Sequence, residues 1–159
     1  MVEFKKIKYA EMKSIVPLIQ SVISEGREAK IRVTGNSMYP TLIDRRDTVS
    51  LCAVDRVKVG DVILYLRENG DYVLHRVIGK KGNNLSFAGD NELVCEYPVS
   101  TSQCIAKMSG FIRNGKEYDC KTSIKYRIIA FLWTRLFFMR GILAKAFRLY
   151  ILIRRRFKK

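Results

Sequence analysis

Short runs of β-favouring residues, each ended by a turn signal, fill the chain from about residue 30 to 112. The runs include "AKIRV", "TVSLCAV", "DVILYL", "YVLHRVI" and "NLSFAG", and Gly, Asn and Asp occupy the turns between them. No helical pattern separates consecutive runs, as a parallel sheet would need. The pattern predicts a mainly β, α+β fold, with a hairpin around Asn69-Gly70 in residues 66–75.

An amphipathic helix is predicted over residues 9–26, ahead of the strands. Gly26 is the expected stop of this helix. The apolar residues that recur at helical spacing are Met12, Ile15, Val16, Ile19, Val22 and Ile23. Pro17 interrupts the pattern and predicts either a kink or a division of the helix in two. We therefore divide the chain into a helical segment at 1–29, a β domain at 30–120 and a tail at 121–159.

The tail carries most of the excess positive charge. The formal net charge is +15, and residues 121–159 hold 12 of the 30 Lys and Arg residues and none of the 15 acidic ones. The same segment is rich in large apolar residues, and its composition predicts helix with a break at Gly141. A tail that is both basic and apolar indicates an anionic membrane surface rather than nucleic acid as the partner.

The charges in the tail argue against a transmembrane helix. Arg135, Arg140, Lys145 and Arg148 interrupt every stretch of about 20 residues that would be long enough to span a bilayer. Each such charge costs roughly 2.5–3.5 kcal/mol at the centre of a spanning helix. We predict one or two helices lying in the membrane interface, with these basic side chains reaching the headgroups. The alternative is a helical pair packed on the domain or on a partner subunit.

The cysteines and the N-terminus bear on cofactors and on the cellular compartment. The four cysteines are Cys52, Cys95, Cys104 and Cys120, and they form no Cys-x-x-Cys pair. Because the chain also has a single histidine, no metal or cofactor is predicted. We expect small buried residues with free thiols, as in a reducing compartment. The N-terminal sequence lacks the apolar core of a secretory signal, and no membrane span is predicted before Ser37.

One serine and the one histidine are the residues with catalytic potential. A serine hydroxyl is a weak nucleophile that needs a base to take its proton, and a neutral histidine is such a base near pH 7. Ser37 lies in "VTGNSMYPTL", a turn after a strand-like run, and His75 lies in the strand-like "YVLHRVI". By themselves, these residues also fit a hydroxyl in a turn and a packed histidine.

Four motifs in order strengthen the catalytic interpretation. "GNSMYPTL" at 35–42, "VGDVILY" at 59–65, "LHRVIG" at 74–79 and "GDN" at 89–91 resemble the successive boxes of type I signal peptidases and of the related self-cleaving repressor peptidases. The resemblance covers roughly residues 31–107. It implies a coiled antiparallel β-sheet domain, here between the N-terminal helix and the basic membrane-associated helices.

The resemblance also assigns catalytic roles. Ser37 is the implied nucleophile and His75 the implied general base, at a position where bacterial signal peptidases typically carry Lys, so the chain is similar to the Ser-His branch. Asp90, in the last box, is the expected acid that orients His75. Glu92 and Glu96 in the following "ELVCEYP" are the alternatives.

The residues around Ser37 are expected to complete the site. Signal peptidases often carry Ser or Thr two positions before the nucleophile, and its hydroxyl helps to bind the oxyanion; this chain has Gly35 there. The Ser37 backbone N–H and Asn36 are therefore expected to form the oxyanion hole. Met38 and Pro40 are expected in the substrate cleft.

Together these features predict a membrane-associated serine endopeptidase that cleaves signal or leader peptides. Its expected partners are a peptide or precursor-protein substrate and an anionic membrane surface, and we expect it on the cytoplasmic face, with an outward orientation as the alternative. Two other functions stay open. One is a repressor-type self-cleaving peptidase, although residues 1–30 are too few for a helix-turn-helix domain. The other is a non-catalytic membrane-binding protein on a degenerate peptidase scaffold.

Overall fold

The computed structural model describes residues 12–137. Along the chain the elements are α1 (Met12–Ser24), β1 (Ala29–Arg32), β2 (Thr48–Cys52), β3 (Val62–Leu66), β4 (Tyr72–Lys81), β5 (Asn84–Ala88), β6 (Glu96–Ser100), β7 (Cys104–Arg113), β8 (Lys116–Asp119) and α2 (Ile124–Arg135). A 3₁₀ turn, Thr101–Gln103, precedes β7. The predicted mainly β, α+β class is confirmed.

The strands form one antiparallel sheet that is not closed. Its order is β1-β2-β7-β3-β4-β5-β6, and β8 pairs with β7 outside this path. The registers shift where β7 meets β2 and β3, and where β5 meets β4 and β6. Such irregularities bend and twist the strands locally. The sheet can therefore cover two separate apolar clusters.

The two clusters lie on opposite sides of β3, because successive side chains of a strand point to opposite faces. Val62 and Leu64 belong to the larger cluster, where α1 contributes Val16, Ile19 and Ile23. Ile63 and Tyr65 belong to the smaller cluster, with Val77, Leu85 and Phe87. All four of these β3 side chains are buried, so β3 is an interior strand with both faces covered.

The predicted helix and hairpin are present. α1 runs as one element through Pro17, so the chain is not divided there. Gly26 has a φ of +74°, and its N–H donates to the carbonyl of Ile23, so it ends the helix as expected. β3 and β4 form the hairpin around Asn69-Gly70, in which the Arg67 N–H donates to the Asp71 carbonyl at 2.8 Å.

The first part of the tail is helical and packs on the domain. Ser123 caps α2, with its side chain accepting from the Tyr126 N–H. Tyr126 and Ala130 are buried, whereas Ile124, Ile128 and Phe131 are exposed. Within residues 12–137 no helix is long and apolar enough to cross a membrane. The predicted interfacial contacts of Arg140, Lys145 and Arg148 lie outside the described residues.

The four cysteines are free thiols. Three of them are half-buried, and burial raises the pKa of Cys104 to about 11 and that of Cys120 to about 12. Cys95, by contrast, is exposed and not buried as expected. It is therefore the thiol that is open to chemical labelling.

Candidate active site

His75 is a buried residue in the middle of the sheet. It lies in β4 opposite Ile63 of β3, and only 2% of its surface is exposed. Its ring meets that of Tyr65 edge-on, at 6.2 Å between centroids. β4 thus holds the imidazole between the smaller apolar cluster and two acidic side chains.

Glu96 is the carboxylate next to Nδ1 of His75. Glu96 Oε1 lies 3.1 Å from Nδ1, and the Tyr65 hydroxyl oxygen lies 3.4 Å from the same nitrogen. Arg67 donates to both carboxylate oxygens of Glu96, from Nε at 2.8 Å and from a terminal nitrogen. Burial opposes ionisation of Glu96, but these hydrogen bonds hold its pKa below the usual value. An ionised Glu96 favours the His75 tautomer with its proton on Nδ1.

Asp90, the expected orienting acid, instead binds the residue after His75. Its carboxylate oxygens accept from Nε and a terminal nitrogen of Arg76, at 2.8 and 2.6 Å, and both side chains are fully buried. Neighbouring residues of a strand point to opposite faces, so the partner of Arg76 lies across β4 from the His75 ring. The expectation for Asp90 is corrected: its side chain neutralises a buried arginine, and Glu96 takes the orienting position.

Glu92 is the carboxylate on the other side of the imidazole. Its Oε2 lies 3.6 Å from Nε2 of His75, beyond hydrogen-bonding distance. Burial lowers the pKa of His75 and outweighs the opposite effects of Glu92 and Glu96. His75 is therefore neutral at pH 7, with a lone pair on Nε2 when Nδ1 carries the proton.

Ser37 lies in a turn whose backbone contacts the residues just before Glu92. Gly35 enters the turn with a φ of +91°, which favours glycine, and its N–H donates to Asp44. The Ser37 carbonyl accepts from the Asn91 N–H at 2.7 Å. A Cβ at Gly89 would lie 2.6 Å from the same carbonyl oxygen. Residues 89–92, which we call the 89–92 turn, therefore join the Ser37 loop to the Glu92 carboxylate at His75.

The hydroxyl and the backbone N–H of Ser37 are the groups that a nucleophile and an oxyanion donor would use. Within residues 12–137, neither its hydroxyl nor its backbone N–H forms a hydrogen bond to another residue, and the same holds for the Asn36 side chain. The Ser37–His75 hydrogen bond of an assembled dyad is accordingly not formed in this conformation. Catalytic hydrogen bonds often tighten only when substrate binds.

An open strand edge adjoins the serine. β5 pairs with β4 only from Arg76 to Lys81, so among residues 12–137 the 72–75 part of β4 pairs with β3 on one side alone. A cavity of about 130 Å³ lies here, and Ser37, Met38 and Leu74 are among its lining residues. Met38 thus lines the same cavity as Ser37, and its place in a substrate cleft stays a prediction. Pro40 lines a different, smaller cavity beside α2, so its expected place in the cleft is corrected.

One described cluster has the residue types of a metal site. Suitable ligand atoms of His75, Glu92 and Glu96 lie within 4.8 Å of one another. The two carboxylates, however, face different nitrogens of the ring, and Arg67 occupies both oxygens of Glu96. This arrangement fits an oriented base better than a metal ligand set.

Several residues of the site were not predicted from the sequence. Tyr65 lies in β3 and Arg67 directly follows it. The sequence pattern there indicates only a strand and its turn, and no contact with His75 or Glu96. Arg76 lies within "LHRVIG", and the resemblance assigns no role to it. A buried arginine requires a buried carboxylate, and that requirement was a signal that could have assigned Asp90 to Arg76.

Comparison with known proteins adds no relative. No protein-family model matches the sequence, and no curated protein or solved structure matches it significantly.

Proposed function

We propose that this protein is a serine endopeptidase of the signal-peptidase type, with Ser37 as nucleophile, His75 as general base and Glu96 as the orienting acid. One observation carries the proposal. The only histidine of the chain is buried with Nδ1 on an arginine-held carboxylate, and a single turn joins its Nε2 side to the Ser37 backbone. The Glu96–His75 contact is the one that orients the base of a Ser-His pair, and the proposal adds the approach of the Ser37 hydroxyl to Nε2.

The reaction follows from these positions. Ser37 Oγ attacks the scissile carbonyl carbon while His75 Nε2 takes the hydroxyl proton, and Glu96 stabilises the resulting imidazolium. In this proposal the Ser37 N–H and the Asn36 side chain donate to the oxyanion. His75 then protonates the leaving amine, and an acyl-serine ester is left. A water molecule, deprotonated by His75, hydrolyses this ester and restores Ser37. This step requires the Glu92 carboxylate, which lies 3.6 Å from Nε2, to leave that side of the ring.

The substrate fits the open edge of β4. A peptide in extended conformation can add to residues 72–75 through backbone hydrogen bonds, as strands add to exposed sheet edges. The adjoining cavity is lined by apolar side chains, including Ile31, Val33 and Leu64. Its volume of about 130 Å³ suits one apolar side chain of the substrate. The resemblance to signal peptidases makes signal or leader peptides of precursor proteins the expected substrates.

The tail supports membrane association. The exposed face of α2 carries Ile124, Ile128 and Phe131, and the guanidinium of Arg135 lies 5.7 Å from the Phe131 ring centroid. Apolar side chains bordered by basic ones suit an anionic bilayer surface. Because the cytoplasmic leaflet carries the anionic lipids, we place the domain on that face.

Labelling Cys95 in intact cells with a membrane-impermeant thiol reagent tests this placement. Labelling only after lysis supports the cytoplasmic face, and labelling of intact cells contradicts it.

The function is tested by incubating membranes that carry candidate precursors with purified wild type, Ser37→Ala and His75→Ala. We expect defined fragments with the wild type and none with either variant. Ser102→Ala is a matched control, since Ser102 is an exposed serine next to β7. Fragments that are identical for wild type and Ser37→Ala would rule out the proposed nucleophile.

A non-catalytic scaffold is the second candidate. It is favoured by the Ser37 hydroxyl, which has no hydrogen bond within residues 12–137, and by Glu92, which occupies the Nε2 side of His75. Mass spectrometry of the wild type mixed with an electrophilic peptide aldehyde distinguishes the two. An adduct on Ser37 in wild type, but not in His75→Ala, supports the peptidase, and no adduct supports the scaffold.

A further inference from the structure

The inner face of α2 contacts the 89–92 turn. The indole Nε1–H of Trp133 donates to the Asp90 carbonyl at 2.8 Å. One residue along the chain, the Asn91 N–H donates to the Ser37 carbonyl, and Glu92 faces His75 Nε2. A hydrogen bond from the helix therefore reaches the segment that contacts both members of the Ser-His pair.

A second contact from α2 reaches the base of the same turn. The Tyr126 hydroxyl accepts from a terminal nitrogen of Arg76 at 3.4 Å, and the guanidinium lies 5.7 Å from the Tyr126 ring centroid. Arg76 in turn holds the Asp90 carboxylate and donates to the Gly60 carbonyl. The backbone and the side chain of Asp90 are thus each held, by Trp133 and by Arg76 respectively.

The turn transmits displacement because it is tightly packed. Its Glu92 N–H donates to the Gly89 carbonyl at 3.1 Å, and the Gly89 N–H donates to the Glu92 carboxylate at 3.3 Å. Gly89 also lies so close to the Ser37 carbonyl that a Cβ would not fit. A shift of Asp90 therefore moves the Ser37 backbone and the Glu92 carboxylate together.

We propose that Trp133 is a positioning residue for the Ser37–His75 pair and acts through the Asp90 carbonyl. The inference rests on the proposed function, since it assigns to α2 the placement of the nucleophile relative to its base. Misplacement by about 1 Å lowers the rate of an otherwise intact site by about 100-fold. Substrate affinity, which depends on the β4 edge and the apolar cavity, is expected to change little.

The experiment uses Trp133→Phe in the full chain, which keeps an aromatic ring and removes the N–H. Leu132→Met, at an exposed position of the same helix, is the matched control. We expect kcat to fall about 10- to 100-fold in Trp133→Phe with KM within twofold of wild type. The denaturation midpoint should stay close to that of the control, which separates positioning from a general loss of stability.

Two readouts do not require turnover. His75 is the only histidine, so its imidazole signals in NMR spectra are resolved without assignment of the remaining residues. We expect these signals to shift in Trp133→Phe, and the Asn91 amide to exchange faster with solvent. Wild-type signals and exchange in this variant would overturn the proposal, with or without peptidase activity. Shifted signals in a protein whose wild type cleaves no precursor would support the contact and refute the proposed function alone.

Discussion

Glu96 Oε1 lies 3.1 Å from His75 Nδ1, and Arg67 donates to both oxygens of the same carboxylate. This contact favours the tautomer of the buried imidazole that carries its proton on Nδ1 and leaves Nε2 as the basic nitrogen. It also moves the acidic member of the proposed site out of the "GDN" motif and onto the first residue of β6.

Replacing Glu96 with Gln should abolish most of the activity. The amide keeps the shape of the side chain but loses the charge that stabilises the imidazolium, and the loss of an orienting acid lowers kcat by up to about 10⁴-fold in serine peptidases. We expect a fall of at least about 100-fold in kcat/KM, measured by precursor cleavage. Glu117→Gln, which removes an exposed carboxylate paired with Lys30, is the control and should cleave normally. Full activity of Glu96→Gln would contradict the assigned role.

Acidification should destabilise the protein through His75. Burial lowers its folded-state pKa below the value of about 6.5 expected in the unfolded chain. Between these two values the unfolded chain binds more protons, so stability decreases as the pH falls below about 6.5. Denaturant unfolding at several pH values measures this slope, and His75→Gln should flatten it. A His75 NMR titration midpoint above 6.5 would contradict the prediction.

Removing one partner of the buried Arg76–Asp90 pair should destabilise the fold strongly. Arg76→Ala leaves the Asp90 carboxylate buried without its counter-charge, and such a break typically costs about 3–5 kcal/mol. The free energy of unfolding from denaturant titration measures this cost. The double variant Arg76→Met, Asp90→Leu leaves no buried charge and should recover a large part of the stability. A double variant less stable than Arg76→Ala would contradict the account.

Gly89→Ala should lower activity through the Ser37 backbone. The added Cβ would lie 2.6 Å from the Ser37 carbonyl oxygen, so the turn and the serine must move apart. We expect a reduced kcat. We also expect faster hydrogen exchange of the Asn91 amide, because its hydrogen bond to the Ser37 carbonyl would be weakened. Gly79→Ala is the control, because its Cβ would meet the Ser86 hydroxyl at 3.2 Å, and a side chain can rotate away. Equal effects of the two substitutions would argue against a special role of the turn.

Neutralising the tail should weaken membrane binding without affecting the domain. In the full chain, Arg140→Gln, Lys145→Gln and Arg148→Gln together remove three charges, each worth about 1 kcal/mol near an anionic surface. Cosedimentation should fall with vesicles that contain an anionic lipid and stay low with purely zwitterionic vesicles. Point substitutions are preferable to truncation before α2, because α2 buries Tyr126 and Ala130 against the sheet. Unchanged binding to anionic vesicles would refute the interfacial role of the tail.

The sequence alone was sufficient to determine the mainly β, α+β class and the first five strands. Period-two patterns such as "DVILYL" and turn residues such as Asn69-Gly70 act over a few residues, and the strands and hairpin formed where these patterns predicted them. The motif order also indicated Ser37 and His75 as a pair, although it could not show how the two meet.

Only the tertiary structure decided which acid faces which base. Asp90 and Glu96 both follow His75 in the sequence, beyond β5, and the pairing of β4 with β5 and of β5 with β6 decides which side chain of β4 each of them meets. That pairing places Asp90 against the buried Arg76 and Glu96 against His75. The contact of Trp133 with Asp90 spans 43 residues and depends on how α2 docks, which no local pattern encodes. Long-range packing and the need to neutralise buried charge therefore completed the site.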